Sequence, residues 1–300
     1  MEEEPFPGLK IESSDFLNDL DGRSKCSKCQ RSRKFYCYTC FLPLPEIEHR
    51  IPRVKLPLKV DILKHPSEVD GKSTAVHAGI VAPEDVCIYT YPCIPDYEKD
   101  KVILVFPCKD SKTLEQLASS WKHGLKPTQL KSNESVFSGK GSLETSGEKS
   151  TIAGSEILPA KTEKLHSSED EALSKLEESP KLPFERVIFI DSTWNQTRAI
   201  FNDERLRGIQ CVELKSEKTK FWRHQKNNPD THLATIEAIY YFMREFHEHF
   251  VDTQYSGQYD NLLFFFNFMY KKIRNIYDGG EHLEAYKSRK EKALQTKNVS

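Results

Sequence analysis

Glu185-Arg-Val-Ile-Phe-Ile190, followed at once by Asp191-Ser192-Thr193-Trp194 and then by Asn195-Gln-Thr-Arg-Ala-Ile-Phe201, is the stretch that decides the fold. Its apolar run is continuous and rich in β-branched residues, the pattern of a strand buried on both faces of a parallel sheet. The polar turn behind it leads straight into helix-forming residues, expected as a helix over Asn195–Leu206. The same order occurs upstream, where Lys101-Val-Ile-Leu-Val-Phe106 and Pro107 precede a short helical stretch over Lys112–Lys122. Gln210-Cys-Val-Glu-Leu214 reads as a third, shorter strand. From Leu233 the apolar residues fall at 233, 236, 239, 240, 243, 246 and 250, the spacing of a helix with one buried face. A Phe-rich helix is expected over Asn261–Tyr277. Strands alternating with helices predict an α/β domain with a largely parallel sheet.

The 300 residues suffice for one large domain or two small ones. No window approaches the roughly 18 apolar residues that a spanning helix needs, which excludes a transmembrane helix. The acidic start Met1-Glu-Glu-Glu-Pro has no apolar core of a signal peptide, so the expected compartment is reducing and the eight cysteines read as metal ligands or free thiols. The net charge of −1 is unevenly spread. Residues 1–25 hold seven acids and three bases, and residues 131–180 hold ten and six, which leaves 35 bases against 28 acids in the remaining body. A body of charge +7 suits a polyanionic partner such as RNA.

Composition divides the chain further. Residues 1–25 read as a disordered acidic tail, 26–49 as a four-cysteine module, and 50–130 with 181–280 as the α/β domain. Residues 131–180, with eleven serines and the single aromatic Phe137, read as a disordered inserted loop, because so little apolar surface cannot offset the entropy of ordering. Residues 281–300 are a basic C-terminal tail. Between 51 and 128 the apolar runs Val54–Leu63, Ala75–Val81 and Val86–Tyr91 precede the Lys101–Phe106 strand.

Cys26-x2-Cys29-x7-Cys37-x2-Cys40 supplies two pairs of thiols on tight turns, joined by a spacer of hairpin length. Four thiolates at this spacing suit a closed structural Zn²⁺ site; redox-active thiols and an iron–sulfur cluster are the alternatives. Lys28, Arg31, Arg33, Lys34, Phe35 and Tyr36 around it offer either an RNA contact or a solvated charged surface. Cys87, Cys93, Cys108 and Cys211 lie in or beside apolar strands and read as core thiols. His65, His77, His224 and His232 read as surface or loop residues.

In open α/β sheets ligands bind at the carboxyl ends of the strands, where helix N-termini present free N–H groups. Asp191–Trp194 therefore marks a site, unless Asp191 or Ser192 only caps the helix and Trp194 only packs inward. The Asp-x-Thr-Trp run, the following Asn-Gln-Thr-Arg and the later His232-Leu-Ala-Thr-Ile-Glu-Ala238 resemble the DTW-domain family of tRNA-uridine aminocarboxypropyltransferases. The likeness extends to the cysteine cluster, the Lys55–Glu68 segment, Lys72-Ser-Thr-Ala75 and Val105-Phe-Pro107. Where many relatives have Asp-Gly-Thr-Trp this chain has Ser192, and where bacterial relatives have Asn-Thr-Gly it has Ser73-Thr74-Ala75.

The resemblance implies a SPOUT-like parallel sheet flanked by helices with a C-terminal trefoil knot, beside the N-terminal zinc module. It also implies S-adenosylmethionine as co-substrate, donating its 3-amino-3-carboxypropyl group to N3 of a D-loop uridine in tRNA. Positioning must select the reacting carbon of the sulfonium, and the imide proton must be taken by a base. Asp191 is the expected base, with Thr193 holding that carboxylate or a cofactor group and Trp194 walling the pocket. Phe106, Pro107, Asp191, Leu233, Ala234 and Thr235 are the implied cofactor-binding residues.

Lys218, Lys220, Trp222, Arg223 and Lys226 form the densest basic and aromatic run, expected either as a tRNA contact or as a solvated loop with Trp222 turned inward. Two other readings stand beside the transferase: a SPOUT-type methyltransferase using the same donor, and a non-catalytic zinc-containing RNA-binding module. tRNA is the expected partner, with no membrane and no obligate protein partner implied, and the nucleus, with the cytoplasm second, is the expected compartment.

Overall fold

The computed structural model describes residues 4–122, 182–214, 217–222 and 229–279, all within one compact unit. The expected inserted loop at 131–180 and the basic tail at 281–300 lie outside the described residues. The acidic N-terminal segment departs from expectation: from residue 4 onward it is laid against the protein. Phe6, Phe16 and Leu17 are buried, the two Phe rings meet Phe266 and Phe264 at 5.9 and 6.2 Å, and the Lys10 amide donates to Asp260 at 2.6 Å. A few apolar anchors scattered among acids have no period, so composition alone hides them.

Two small antiparallel hairpins follow, β1 (Ser24–Lys25) with β2 (Ser32–Arg33) and β3 (Tyr36–Cys37) with β4 (Leu42–Pro43). The main sheet comprises β5 (Lys59–Lys64), β6 (Val86–Thr90), β7 (Val102–Val105), β8 (Arg186–Asp191) and β9 (Gln210–Val212). Its order is β6-β5-β8-β7-β9, and every pairing is parallel. The helices are α1 (Ala75–Val81), α2 (Leu114–Lys122), α3 (Trp194–Phe201), α4 (Thr235–Phe250) and α5 (Phe264–Asp278).

Alternation along β8 divides the core. Val187 and Phe189 join the large cluster built with α1, α2, α4 and α5, whereas Ile188 packs with Leu63, Leu104 and Ile200 of α3 on the other face. Burying each such side chain contributes roughly 1.5–3 kcal/mol, and the continuous apolar runs are what this two-sided burial requires.

Two boundaries and the character of one segment differ from the sequence reading. The helix after the motif stops at Phe201, with Asn202 as its C-cap, instead of running to Leu206. The Phe-rich helix starts three residues later than expected, after a turn of 3₁₀ helix over Asp260–Leu263. Ala75–Val81, flagged only as an apolar run, is a helix buried on all sides, so it has no polar face to betray its period. Its Gly79 lets Ile88 and Phe41 approach to 3.4 and 3.6 Å of where a Cβ would stand.

Candidate active site

The carboxyl ends of β7, β8 and β9 open into a cavity of about 360 Å³, closed by the first turns of α3 and α4. Phe106, Pro107, Ser192, Trp194, Leu233 and Thr235, widely separated in sequence, converge on its wall. Glu213, Thr231 and His232 line it as well. The sequence assigns none of the three a role at a site: Glu213 reads as part of the third strand, which ends at Val212, Thr231 has no pattern, and His232 reads as a surface or loop histidine beside the Leu233–Ala238 motif. The available signal was position, since His232 immediately precedes Leu233 and Glu213 stands near the end of the third strand.

Aromatic rings form a row along the cavity. Phe201 stacks on Phe106 at 4.1 Å, Phe106 meets Trp194 at 6.2 Å, and Trp194 lies against His232 at 4.4 Å. Trp194 remains 44% exposed, so the indole does more than fill the core: it offers a flat apolar face to solvent beside the cavity, a surface on which a nucleobase can stack.

Asp191 stands elsewhere. The last residue of β8, it pairs with Lys64 of β5, is buried, and does not line the cavity. Its Oδ1 accepts from Thr235 Oγ1 at 2.6 Å and its Oδ2 from Ser73 Oγ at 2.7 Å. Burial pushes the carboxyl up, and the two hydroxyls with the Lys64 charge only partly offset it. The Ser73 hydroxyl also accepts from the Ala75 amide at 3.2 Å, and Thr74 Oγ1 accepts from the Ile236 amide at 3.2 Å. The Ser73-Thr74-Ala75 turn is thus stitched to the end of β8 and the start of α4.

Thr193 is exposed and serves as the N-cap of α3, its amide donating to Gln196 Oε1 at 3.1 Å. Ala234 caps α4 and does not line the cavity. Its amide donates to Glu237 Oε2 at 2.8 Å, where Thr219 Oγ1 also donates at 2.6 Å, and the Lys220 amide donates to Oε1 at 2.6 Å. Glu237 is fully buried and burial raises its carboxyl. One carboxylate therefore moors the basic segment to the helix beside the cavity.

Within that segment Lys218 pairs with Asp230 at 2.9 Å, and Trp222 is half-buried, facing Phe266 at 5.1 Å. Trp222 is thus packed inward, while Arg223, His224 and Lys226 lie outside the described residues.

The four cysteine sulfurs of 26, 29, 37 and 40 lie within 4.8 Å of one another. Each pair turns the same way: the Gln30 amide donates to the Cys26 carbonyl at 3.0 Å and the Phe41 amide to the Cys37 carbonyl at 2.8 Å, and both Gln30 and Phe41 take left-handed backbone, φ 58° and 56°. Such conformations cost of order 1–3 kcal/mol in residues other than glycine, a cost that a bound ion can offset. Although burial pushes the Cys37 thiol up, amides of Thr39 and Cys40 and the buried Arg33 guanidinium pull it down further, whereas burial and the neighbouring thiols push Cys40 up; a cation held among the four sulfurs would favour the thiolate of each. Of the other cysteines, Cys211 is buried as expected, Cys108 is intermediate, and Cys87 and Cys93 are exposed. The last two lie on the sheet's edge strand β6 and in the loop after it, where no layer covers them. His77, read as a surface residue, is buried in α1 and shares a hydrogen bond with Tyr36 Oη at 2.9 Å.

The DTW domain model matches residues 34–274. The chain is 46% identical over 280 residues to tRNA-uridine aminocarboxypropyltransferase 1 of Xenopus tropicalis, covering 92% of this chain and 88% of the relative. The proteins of that name from Mus musculus and Homo sapiens are each 46% identical over 286 and 287 residues, covering 93% of this chain and 87% of each relative. No solved structure matches the chain.

Proposed function

Since the chain belongs to the DTW domain family, we propose that it is a tRNA-uridine aminocarboxypropyltransferase, using S-adenosylmethionine to modify N3 of a D-loop uridine. The observation that carries this is the convergence of Phe106, Pro107, Ser192, Trp194, Leu233 and Thr235 on one cavity at the carboxyl ends of the parallel strands, where open α/β sheets bind ligands. The apolar walls suit an adenosine, and the backbone turns at the starts of α3 and α4 suit its polar groups. When bound, the donor supplies a carbon made electrophilic by cationic sulfur. The protein's part is to orient that carbon, exclude water and take a proton.

Asp191 contributes from behind the wall. By holding Thr235 and Ser73 it fixes the side of the cavity on which the first turn of α4 stands. This makes it a positioning residue, with Glu237 doing the same for the segment 217–222.

A SPOUT-like arrangement with a C-terminal knot belongs to the same proposal, supported by the placement of β8 between the earlier strands β5 and β7. The four cysteines would hold Zn²⁺ in a closed shell that supports structure and leaves no position for chemistry. Nuclear residence is part of the proposal, supported by the tRNA substrate and read by imaging the tagged chain. One incubation with tRNA and S-adenosylmethionine tests the activity. Aminocarboxypropyluridine with methylthioadenosine is the expected pair of products; a methylated base with S-adenosylhomocysteine would make it a methyltransferase, and tRNA binding without either product a non-catalytic module.

A further inference from the structure

We propose that His232 takes the N3 proton of the acceptor uridine, with the exposed face of Trp194 holding the base beside it; this rests on the transferase reading above. Of the described residues lining the cavity, the ionisable ones are His232 and Glu213. Asp191 is not among them: both its oxygens are engaged by hydroxyls, and Thr235 stands between it and the cavity. A proton acceptor must come within hydrogen-bond reach of the proton it removes, and geometry therefore moves the role away from Asp191.

Between the two remaining groups, chemistry favours the imidazole. The uridine imide is a weak acid, and base catalysis works best when the acceptor's affinity for protons lies near the working pH, where imidazole rather than an ordinary carboxylate falls. Position favours it too. His232 packs on Trp194 at 4.4 Å and both line the cavity, so a base seated in the cavity against the exposed part of the indole meets the imidazole as well. Glu213 instead is shared with a second cavity, lined by Glu217, Glu245 and Glu248 together with Arg244 and His249, away from the Trp194–His232 pair, and its carboxylate there suits the amino group of the donor. Among the described residues, the charged groups on the elements next to the imidazole include Glu213 in the same wall, Asp230, two residues before it in the chain and paired with Lys218, and Glu237, which accepts from the Ala234 amide at the start of α4.

In the step itself the N3–H proton passes to the imidazole as N3 bonds to the carbon of the aminocarboxypropyl group. The carbon–sulfur bond breaks with its electron pair left on sulfur, so methylthioadenosine leaves neutral and the imidazolium returns its proton to solvent.

The test uses the full chain with tRNA and S-adenosylmethionine. Wild-type protein first establishes methylthioadenosine release; failure there overturns the transferase reading and this assignment with it. Single-turnover rates across pH are then compared for wild type, His232→Gln and His232→Ala, with equilibrium binding of tRNA and of the donor measured for each. The expected result is a rate lower by about 10²–10⁴, loss of the wild-type rise in rate through the imidazole range, little change in either affinity, and partial rescue of His232→Ala by added imidazole. A wild-type pH profile in His232→Gln, absence of rescue in a folded His232→Ala, or loss of that rise in Glu213→Gln instead would each overturn the assignment.

Discussion

Asp191 and Thr235, 44 residues apart, are joined by a hydrogen bond of 2.6 Å from the Thr235 hydroxyl to Asp191 Oδ1, which ties the end of β8 to the first turn of α4. The strand that supplies the motif and the helix that supplies the far wall of the cavity are thereby held in one register. Among the described residues this buried carboxylate has two hydroxyls and no ion pair, with the Lys64 charge nearby, and that determines how substitutions there behave.

Asp191→Asn keeps one acceptor and replaces a desolvated charge by a neutral amide. Turnover is expected to fall only modestly, well short of the loss expected at His232. Because burial raises the folded-state carboxyl, its contribution to stability is fully present below the ordinary carboxylate range and is lost as pH rises through the raised value. Thermal unfolding against pH checks this: the wild type gains stability on acidification through that range, and Asp191→Asn lacks that increment. Asp191→Ala leaves the two hydroxyls without their acceptor and is expected to cost about 1–3 kcal/mol. A loss of turnover in Asp191→Asn as deep as that of a removed base, with folding intact, would return the catalytic role to Asp191.

Glu237→Gln tests the mooring of the basic segment. The carboxylate accepts three hydrogen bonds, from Thr219, Lys220 and Ala234, whereas the amide offers one oxygen and turns donors toward donors. A destabilisation of about 1–3 kcal/mol is expected, together with faster hydrogen exchange at the Lys220 amide. Unchanged exchange there would show that the segment is held by its aromatic packing alone.

Trp194→Ala removes the exposed stacking face. Base–aromatic stacking is worth about 1–3 kcal/mol, so tRNA affinity is expected to fall about 5- to 150-fold, while Trp194→Phe retains most of it. Equilibrium binding at fixed salt measures this, and equal affinities for wild type and Trp194→Ala would remove the ring from the acceptor site.

Metal analysis of purified protein is expected to find one zinc per chain. Chelation, or Cys29→Ser, should lower the unfolding temperature and weaken tRNA binding without altering which product forms. Stoichiometry well below one, with stability unaffected by chelator, would show that the four thiols serve another purpose.

Much of this was legible in the sequence, for reasons that can be named. Strands buried on both faces must be apolar throughout, so β7 and β8 stand out, and the long helix α4 keeps a polar face that reveals its period. The cysteine cluster is legible because two short Cys-x2-Cys turns joined by a hairpin-length spacer can bring four sulfurs together, as they do here. Helix α1 escaped because burial on all sides erases its period. The N-terminal segment escaped because Phe6, Phe16 and Leu17 act singly. At the site, the motif directs attention to Trp194 and Thr235, which the fold brings to the cavity wall, and to Asp191, but pattern has no means of showing that two hydroxyls enclose its carboxylate. His232 and Glu213 acquire meaning only when three strand ends and two helix starts are brought together.

The placement of β8 has a bearing on how the protein is made. Strand β5 pairs with β6 early in the chain, but among the described residues β7 pairs with β8 and β9, and these follow the long intervening stretch that begins after α2. A ribosome that has reached residue 181 has therefore delivered β5, β6 and β7 but not β8, the strand that stands between β5 and β7. The strand that bridges them carries Asp191 at its end, so the sheet closes and the cavity acquires its floor in a single late event. Such dependence on distant pairings slows folding, and it means that a product truncated anywhere before the central strand is not a smaller enzyme but a chain with two open sheet edges, exposed to self-association.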